Sequence, residues 1–231
     1  MKLYGFPAFF AALTLFLAAC GQEKAPEAPP SAAARDVPPP DVPVMGPQLS
    51  VLALGDSLFA GYGVKREESY PAKLEAALRA RGVNALIANA GVSGDTTAGG
   101  LERLDFTLSS QAEVPDLAII SLGGNDMLRG LPPEQTRANL DQIVGRLRAK
   151  GIKVVLMGML APPNLGADYR SKFDTIYPAL AEKHGAVLVP FFLQPVVDKP
   201  DLIQADRVHP TARGIEEIVA ATVGEVAKAA Q

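Results

Sequence analysis

The 231-residue sequence contains no tryptophan, one cysteine and two histidines. A single cysteine excludes an internal disulfide, and no Cys, His and carboxylate cluster has the spacing of zinc ligands. The net charge is −3 and the basic residues form no stripe, which argues against binding to nucleic acid. Because only His184 and His209 are available, any chemistry that depends on histidine must use one of them.

Residues 1–20 have the pattern of a secretory signal peptide, with a charged start and an apolar run over 6–19 that is short for a membrane span. Residues 17–21 resemble a bacterial lipobox, in which the cysteine is lipidated. An ordinary signal peptide that contains a cysteine is the alternative. We expect a lipidated Cys20 that anchors the protein to a membrane of the cell envelope. Gly21 stands where lipoproteins of the inner membrane often carry aspartate, which favours the periplasmic face of the outer membrane.

Two regions follow the predicted signal peptide. Residues 21–47 are rich in alanine and proline, and we expect a disordered spacer there. Residues 48–231 have the length of one ordinary domain, which can bury a core without disulfides or structural metals. The sequence therefore predicts a single domain held to a membrane by a tether.

Short apolar runs alternate with amphipathic segments along this domain. In the segment 70–81, for example, Leu74 and Leu78 share one helical face. Such alternation predicts a parallel sheet covered by helices on both faces, with ligands bound at the carboxyl ends of the strands. The predicted strands are 49–54, 83–89, 117–122, 152–157 and 186–191, and the predicted helices are 70–81, 96–109, 133–150, 170–183 and 211–230.

The first predicted strand ends in Gly55-Asp56-Ser57-Leu58. A serine on a tight turn between a strand and a helix can point its hydroxyl into a cleft, where the helix N-terminus favours developing negative charge. The same serine can instead be a helix N-cap. These residues alone leave both interpretations open.

The next two predicted strands also end in small and polar residues. The segment 89–96 contains glycines whose backbone N–H groups can approach an oxyanion, and the amide of Asn125 is a suitable donor as well. Turn formation is the alternative for both segments. Asp56, Asp95 and Asp126 are expected to organise loops through backbone hydrogen bonds, because none accompanies a histidine.

The segment Asp206-Arg207-Val208-His209-Pro210 precedes the last predicted helix. A serine hydroxyl becomes a good nucleophile when a base removes its proton, and the base needs an acceptor on its other nitrogen. An aspartate three residues before a histidine can supply that acceptor within one loop. His184, beside Gly185 at a predicted helix end, is expected to be structural.

Residues 55–58, Gly91, 124–126 and 206–210 resemble the four signature blocks of the SGNH/GDSL hydrolases, most closely the bacterial thioesterase I, lysophospholipase and arylesterase group. The resemblance covers essentially the whole domain. It implies an α/β fold of three layers, flavodoxin-like, with a central parallel sheet of five strands. A lipid anchor departs from the best-known members, which are soluble in the periplasm, and leaves the natural substrate open.

The same resemblance implies the roles of the site residues. Ser57 would be the nucleophile, His209 the general base and Asp206 its orienting partner. The Ser57 N–H, the Gly91 N–H and the Asn125 side chain would form the oxyanion hole.

The sequence thus predicts a monomeric serine esterase that acts on carboxylic esters or thioesters of small acyl substrates without a metal or organic cofactor. A carbohydrate O-acetyl esterase is one alternative, although 6% aromatic residues offer few platforms for sugars. A catalytically silent lipid-binding lipoprotein is another, although it would not need Ser57 and His209 together. The apolar segment 157–165 either lines an acyl groove or closes the core.

Overall fold

The computed structural model describes residues 44–231 and contains a sheet of five parallel strands in the order β2-β1-β3-β4-β5. This order is that of flavodoxin-like folds, so the predicted fold class is confirmed. The strands are β1 (Leu49–Gly55), β2 (Ala85–Gly91), β3 (Leu117–Ser121), β4 (Lys153–Met157) and β5 (Val187–Val189).

Helices cover both faces of the sheet. The α-helices are α1 (Ser57–Ala60), α2 (Tyr70–Arg79), α3 (Thr97–Glu102), α4 (Leu104–Ser109), α5 (Gly124–Leu128), α6 (Pro133–Ala149), α7 (Ala167–Asp174), α8 (Ile176–His184) and α9 (Ala212–Ala230). Helix α2 packs against α9, whereas α6 packs against α3 and α8. Crossovers between parallel strands are right-handed. The crossover from β1 to β2 runs along the sheet in the opposite direction to those from β2 to β3, from β3 to β4 and from β4 to β5. The two groups of helices therefore lie on opposite faces.

Two predicted helices are each divided in the structure. The segment 170–183 forms α7 and α8, which meet at Thr175. Pro178 explains this division, because it has no N–H to donate to the carbonyl of Asp174. The segment 96–109 forms α3 and α4, which meet at Arg103, whose side chain turns back to bond Asp95 and the Gly55 carbonyl.

The predicted domain boundary falls close to the first strand. Residues 45–48 are exposed and irregular, and β1 begins at Leu49. The predicted signal peptide, Cys20 and most of the predicted spacer lie outside the described residues. Within 44–231, none of the helices combines the length and the apolar character needed to cross a membrane.

A buried aromatic cluster fixes the helix that follows β1. Phe59 on α1 stacks on Tyr70 at 5.2 Å between ring centroids, and Phe192 meets both rings edge-on. The Tyr70 hydroxyl bonds the Thr222 hydroxyl at 2.8 Å, which joins α2 to α9. A Cβ at Gly55 would lie 2.7 Å from the Phe59 ring, so the close contact needs glycine at the end of β1. Helix α1 is therefore held close against the end of β1.

The Ser121 hydroxyl at the end of β3 is buried and has no hydrogen-bond partner among residues 44–231. A buried donor without a partner costs free energy relative to an apolar group of similar shape. We expect Ser121→Ala to raise the free energy of unfolding by about 1 kcal/mol. Urea denaturation of the two proteins at neutral pH measures the difference.

Thr222→Ala is the matched control, because its buried hydroxyl bonds both Tyr70 and the Ile218 carbonyl. We expect this variant to be destabilised by about 1 kcal/mol or more. A Ser121→Ala variant that loses as much stability as Thr222→Ala contradicts the prediction.

Candidate active site

The carboxyl ends of β1 and β3 are neighbours at the point where the strand order reverses, which is where such sheets bind ligands. Ser57 follows β1 as the first residue of α1. Asp56 is the N-cap of this helix, and its Oδ1 accepts a hydrogen bond from the Leu58 N–H at 3.0 Å. The interpretation of Ser57 as the N-cap is therefore wrong, and its hydroxyl is available to the cleft.

His209 connects Ser57 to Asp206. Its Nε2 lies 2.8 Å from the Ser57 Oγ, and its Nδ1 lies 2.7 Å from Asp206 Oδ2. A carboxylate can only accept, so Nδ1 carries the proton and Nε2 accepts from the serine hydroxyl. The structure thus brings the three residues together in one chain of hydrogen bonds, although Ser57 and His209 are 152 positions apart.

Asp206 is held as a carboxylate by its own loop. Its Oδ1 accepts from the N–H groups of His209 and Val208 at 3.0 and 2.9 Å. These two bonds, followed by the bond from the imidazole, lower the pKa of Asp206 to about 2. The negative charge that orients His209 is therefore present over the whole neutral range.

Gln204 fastens this loop to the one that follows α1. Its N–H donates to the His209 carbonyl at 2.7 Å, and its side-chain amide donates to the carbonyls of Tyr62 and Pro210 at 2.8 and 2.9 Å. The histidine and the serine are therefore tied together through the backbone as well as through their side chains.

His184 lies elsewhere. Its Nε2 pairs with Asp141 Oδ1 at 2.6 Å between α8 and α6, outside the cleft that Ser57 lines. This position agrees with the structural role expected for His184. Of the two histidines, only His209 can reach the serine.

Asn125 lies in the first turn of α5, beside Ser57. Its side-chain Nδ2 donates to the Asp95 carbonyl at 2.9 Å and makes a longer contact of 3.3 Å with Asp56 Oδ2. Arg103 in turn bonds the Asp95 carboxylate at 2.6 Å. The amide is thus fixed at the mouth of the site with one hydrogen only loosely engaged.

The Gly91 N–H is not positioned as the sequence interpretation required. It donates to Asn89 Oδ1 at 2.9 Å, and Gly91 does not line the cleft. A Cβ at Gly91 would lie 2.3 Å from the Ala60 nitrogen, so glycine is needed there for packing. Gly94 lines the cleft instead, with a φ of 83° and an N–H that has no partner among residues 44–231. Of the two glycines, Gly94 is the one in position to donate to a substrate.

The cleft beside Ser57 is mainly apolar and has a volume of about 470 Å³. Part of its wall comes from the segment 157–165, as one of the sequence interpretations expected. Its large apolar lining residues are Leu58, Met127, Leu128, Met159, Leu160, Phe191, Leu193 and Val197. Such a wall suits an apolar ligand. No group of three or more His, Cys, Asp or Glu residues within 44–231 is arranged to hold a metal ion.

The sequence profile of the GDSL-like lipase/acylhydrolase family matches residues 53–216. The chain belongs to this family. The matched range of the hydrolase includes the serine turn, the Asn125 turn and the loop of Asp206 and His209, which are the segments that form the site.

Relatives agree with this assignment. The arylesterase of Vibrio mimicus is 43% identical over 160 residues, 69% of this chain and 79% of that protein. The thioesterase 1/protease 1/lysophospholipase L1 of Escherichia coli K12 is 38% identical over 161 residues, 70% of this chain and 75% of that protein. The crystal structure of AlinE4, an esterase of the SGNH-hydrolase family, is 63% identical with a TM-score of 0.69, and covers 80% of this chain and 98% of its own. The predicted family, fold and enzyme class are confirmed.

Three features of the hydrolase's cleft were not predicted from the sequence. The Tyr62 ring lies against the His209 imidazole with 4.4 Å between centroids, Gly94 replaces Gly91 at the cleft, and Arg207 lines it. Gly94 is the second of the two glycines in the segment 89–96, so the sequence did indicate it as an alternative backbone donor. Tyr62 and Arg207 lie in segments that contribute to the family resemblance, but the sequence pattern assigns no role to either residue.

Asp56 and Asp126 organise loops as expected. Asp126 accepts hydrogen bonds from Thr97 and Thr136. Asp56 is almost fully buried next to the serine, and burial raises its pKa to about 6 against a smaller lowering by the Leu58 N–H. The unfolded chain loses this proton near its ordinary value of 3.8, so the folded protein alone holds it between the two values.

We expect Asp56→Asn to remove a pH dependence of stability. As the pH rises from 4 to 7, ionisation of Asp56 disfavours the folded wild-type protein, whereas asparagine keeps a cap for Leu58 without titrating. The difference in free energy of unfolding should move in favour of the variant by up to about 3 kcal/mol across this interval. Denaturant unfolding of both proteins at several pH values measures it, and a difference that does not change with pH would contradict the prediction.

Proposed function

We propose that this hydrolase is a serine esterase that cleaves carboxylic esters and thioesters of acyl groups, with Ser57 as nucleophile, His209 as general base and Asp206 as orienting acid. The observation that carries the proposal is the chain of hydrogen bonds through these residues, at 2.7 and 2.8 Å, beside an apolar cleft. In solved variants of AlinE4, a serine and an aspartate are replaced by alanine. Those two positions have the same separation in sequence as Ser57 and Asp206.

The reaction proceeds by acyl transfer in two stages. His209 Nε2 takes the Ser57 proton as Oγ attacks the carbonyl carbon, and then gives that proton to the leaving oxygen or sulfur. A water molecule, activated by the same nitrogen, releases the acid from the acyl-serine. The Asp206 carboxylate stabilises the imidazolium that forms in each stage.

Three donors are proposed for the oxyanion hole: the Ser57 N–H, the Gly94 N–H and the Asn125 side chain. Both backbone N–H groups lack a partner within residues 44–231. The contact of Asn125 with Asp56 is long at 3.3 Å, so a substrate oxyanion can take over that hydrogen while the bond to the Asp95 carbonyl keeps the amide in place. Gly94 takes the part that the sequence interpretation gave to Gly91.

The apolar wall of the cleft supports acyl substrates, because it offers an acyl chain little polar competition. The names of the two curated relatives extend this to aryl esters and thioesters as substrates to test. We propose that the protein works on these small molecules as a monomer. All the groups that the mechanism uses come from one described domain.

We expect the purified protein to hydrolyse p-nitrophenyl esters of increasing chain length, and Ser57→Ala to lower kcat by at least about 10³-fold. Asn125→Ala should lower kcat by about 10² to 10³-fold, because it removes one oxyanion donor. Ser93→Ala is the matched control, since Ser93 lines the same cleft but has no proposed role, and it should change kcat by less than about threefold. Release of p-nitrophenolate gives the rates.

Two results would count against the proposal. Activity that survives in Ser57→Ala assigns the nucleophile elsewhere. A folded wild-type protein that hydrolyses none of the esters favours the two alternatives, a carbohydrate O-acetyl esterase or a catalytically silent lipid-binding lipoprotein.

We also propose that the chain is a lipoprotein anchored through Cys20 in the cell envelope, at the periplasmic face of the outer membrane, with residues 1–20 as signal peptide, 21–47 as spacer and 48–231 as the hydrolase domain. The lipobox-like sequence at 17–21 supports this. In a Gram-negative host, we expect the full chain to incorporate labelled palmitate and to fractionate with outer membranes. Cys20→Ala should do neither, and an unlabelled wild-type chain in the soluble fraction would exclude the anchor.

A further inference from the structure

Arg207 has an unusual backbone conformation in the loop that carries Asp206 and His209. Its φ is 61°, and it is the one residue other than glycine in 44–231 with a positive φ. The tight turn requires this conformation, because Arg207 N–H donates to the Gln204 carbonyl while Asp206 accepts from the next two N–H groups. Glycine adopts such a φ without cost, whereas an L side chain does not.

The side chain of Arg207 makes no ion pair or hydrogen bond within the described part of the chain. It is exposed and lines the cleft next to His209. A strained residue that contributes nothing to the fold through its side chain points to a role in the site. Arg207 therefore presents an unpaired cation to whatever occupies the cleft.

Few other charges line this cleft. Besides His209, the charged lining residues in 44–231 are Arg207 and Asp56, and Asp56 is buried beneath the serine. Asp206 precedes Arg207, but its oxygens are occupied by two backbone N–H groups and the imidazole. Asp206 also does not line the cleft, so the exposed charge among the lining residues is the guanidinium of Arg207.

The chemistry of ester cleavage decides which part of a substrate meets it. His209 Nε2 must protonate the leaving atom, so the leaving group lies beside this nitrogen. Besides Ser57, three lining residues adjoin His209: Tyr62, whose ring lies against the imidazole, and Arg207 and Val208, which precede it in the chain. An aryl or alkyl leaving group beside this nitrogen is thus near the Tyr62 ring and the loop of Arg207.

Resting on the esterase function proposed above, we propose that Arg207 is a specificity-determining residue that selects acyl esters whose leaving group carries an anion, a phosphate or a carboxylate. A guanidinium binds either group through charge-assisted hydrogen bonds. At an exposed site the attraction amounts to a modest preference in kcat/KM, which salt reduces.

The test compares butanoate esters of 4-hydroxybenzoate and of 4-hydroxybenzamide, which differ in the charge of the leaving group. Butanoyl esters of glycerol 3-phosphate and of glycerol form a second pair, which separates phosphate from carboxylate. The ratio of kcat/KM for the anionic over the neutral ester should fall by about three- to tenfold in Arg207→Gln. Arg207→Lys should keep most of it, and about 0.5 M NaCl should lower it in the wild-type protein and in Arg207→Lys but not in Arg207→Gln.

Two controls separate a local effect from a general one. Arg213→Gln removes the same charge from an exposed position at the start of α9 that does not line the cleft, and it should leave the ratio unchanged. The p-nitrophenyl monoester of succinic acid places the anion on the acyl side. Its rate relative to p-nitrophenyl butanoate should not depend on residue 207.

Arg207→Gly tests the backbone argument. Glycine relieves the strained φ and should raise the midpoint temperature of unfolding by about 2–4 °C while it abolishes the preference for the anion. A ratio that is equal in the wild-type protein, Arg207→Gln and Arg207→Gly overturns the proposal, and so does an equal loss in Arg213→Gln. Hydrolysis of the neutral esters by the wild-type protein and by Arg213→Gln keeps the esterase function intact in that case.

Discussion

The hydrogen bonding of β1 on both edges is the constraint on which the site depends. Because β2 and β3 occupy its two sides, the chain must leave the sheet at Gly55 and turn at once. The turn is stabilised by the packing of the Phe59 ring on Tyr70 and by the Asp56 side chain, which caps α1. Ser57 is thereby fixed on a short helix whose position follows from the sheet, and the other reacting groups need only converge on it.

Convergence is achieved by coupling each group to a neighbour that has a purely structural task. Arg103 bonds Asp95, and the Asp95 carbonyl holds the Asn125 amide. Gln204 holds the loop of His209 against the Tyr62 carbonyl. The buried Asp56 touches both the serine turn and Asn125. Each of these groups is therefore positioned by at least one hydrogen bond and keeps one donor or acceptor available to a substrate.

Sequence patterns predicted the parts of this arrangement that local rules govern. Apolar runs located the five strands, and the separation of Asp206 from His209 indicated a pair within one loop. The segment 170–183 is divided into two helices because of Pro178. This proline was visible in the sequence, but the helical spacing of the apolar residues favoured one continuous helix. The patterns could not show towards which part of the structure a backbone N–H group or a side chain points. Two glycines three residues apart look alike in sequence, and only the Asn89 side chain shows that Gly91 points away.

The same reasoning explains why Tyr62 and Arg207 were missed. A tyrosine in a loop has no preferred partner until the chain folds, and here its ring meets a histidine from a distant segment. An arginine with a positive φ cannot be recognised from composition, because the turn that imposes it is defined by hydrogen bonds that the Gln204 carbonyl and the Asp206 carboxylate accept. Both residues matter through tertiary geometry.

The bond between Tyr70 and Thr222 has a consequence for how the enzyme responds to heat. Ser57 lies on α1 directly after the first strand, whereas Asp206 and His209 lie in the loop that precedes α9, and the buried contact fastens α9 to α2. If α9 loosened, the sheet and α9 itself could stay folded while His209 moved away from Ser57. Heating would then abolish the enzyme's activity at a lower temperature than the one at which the domain unfolds.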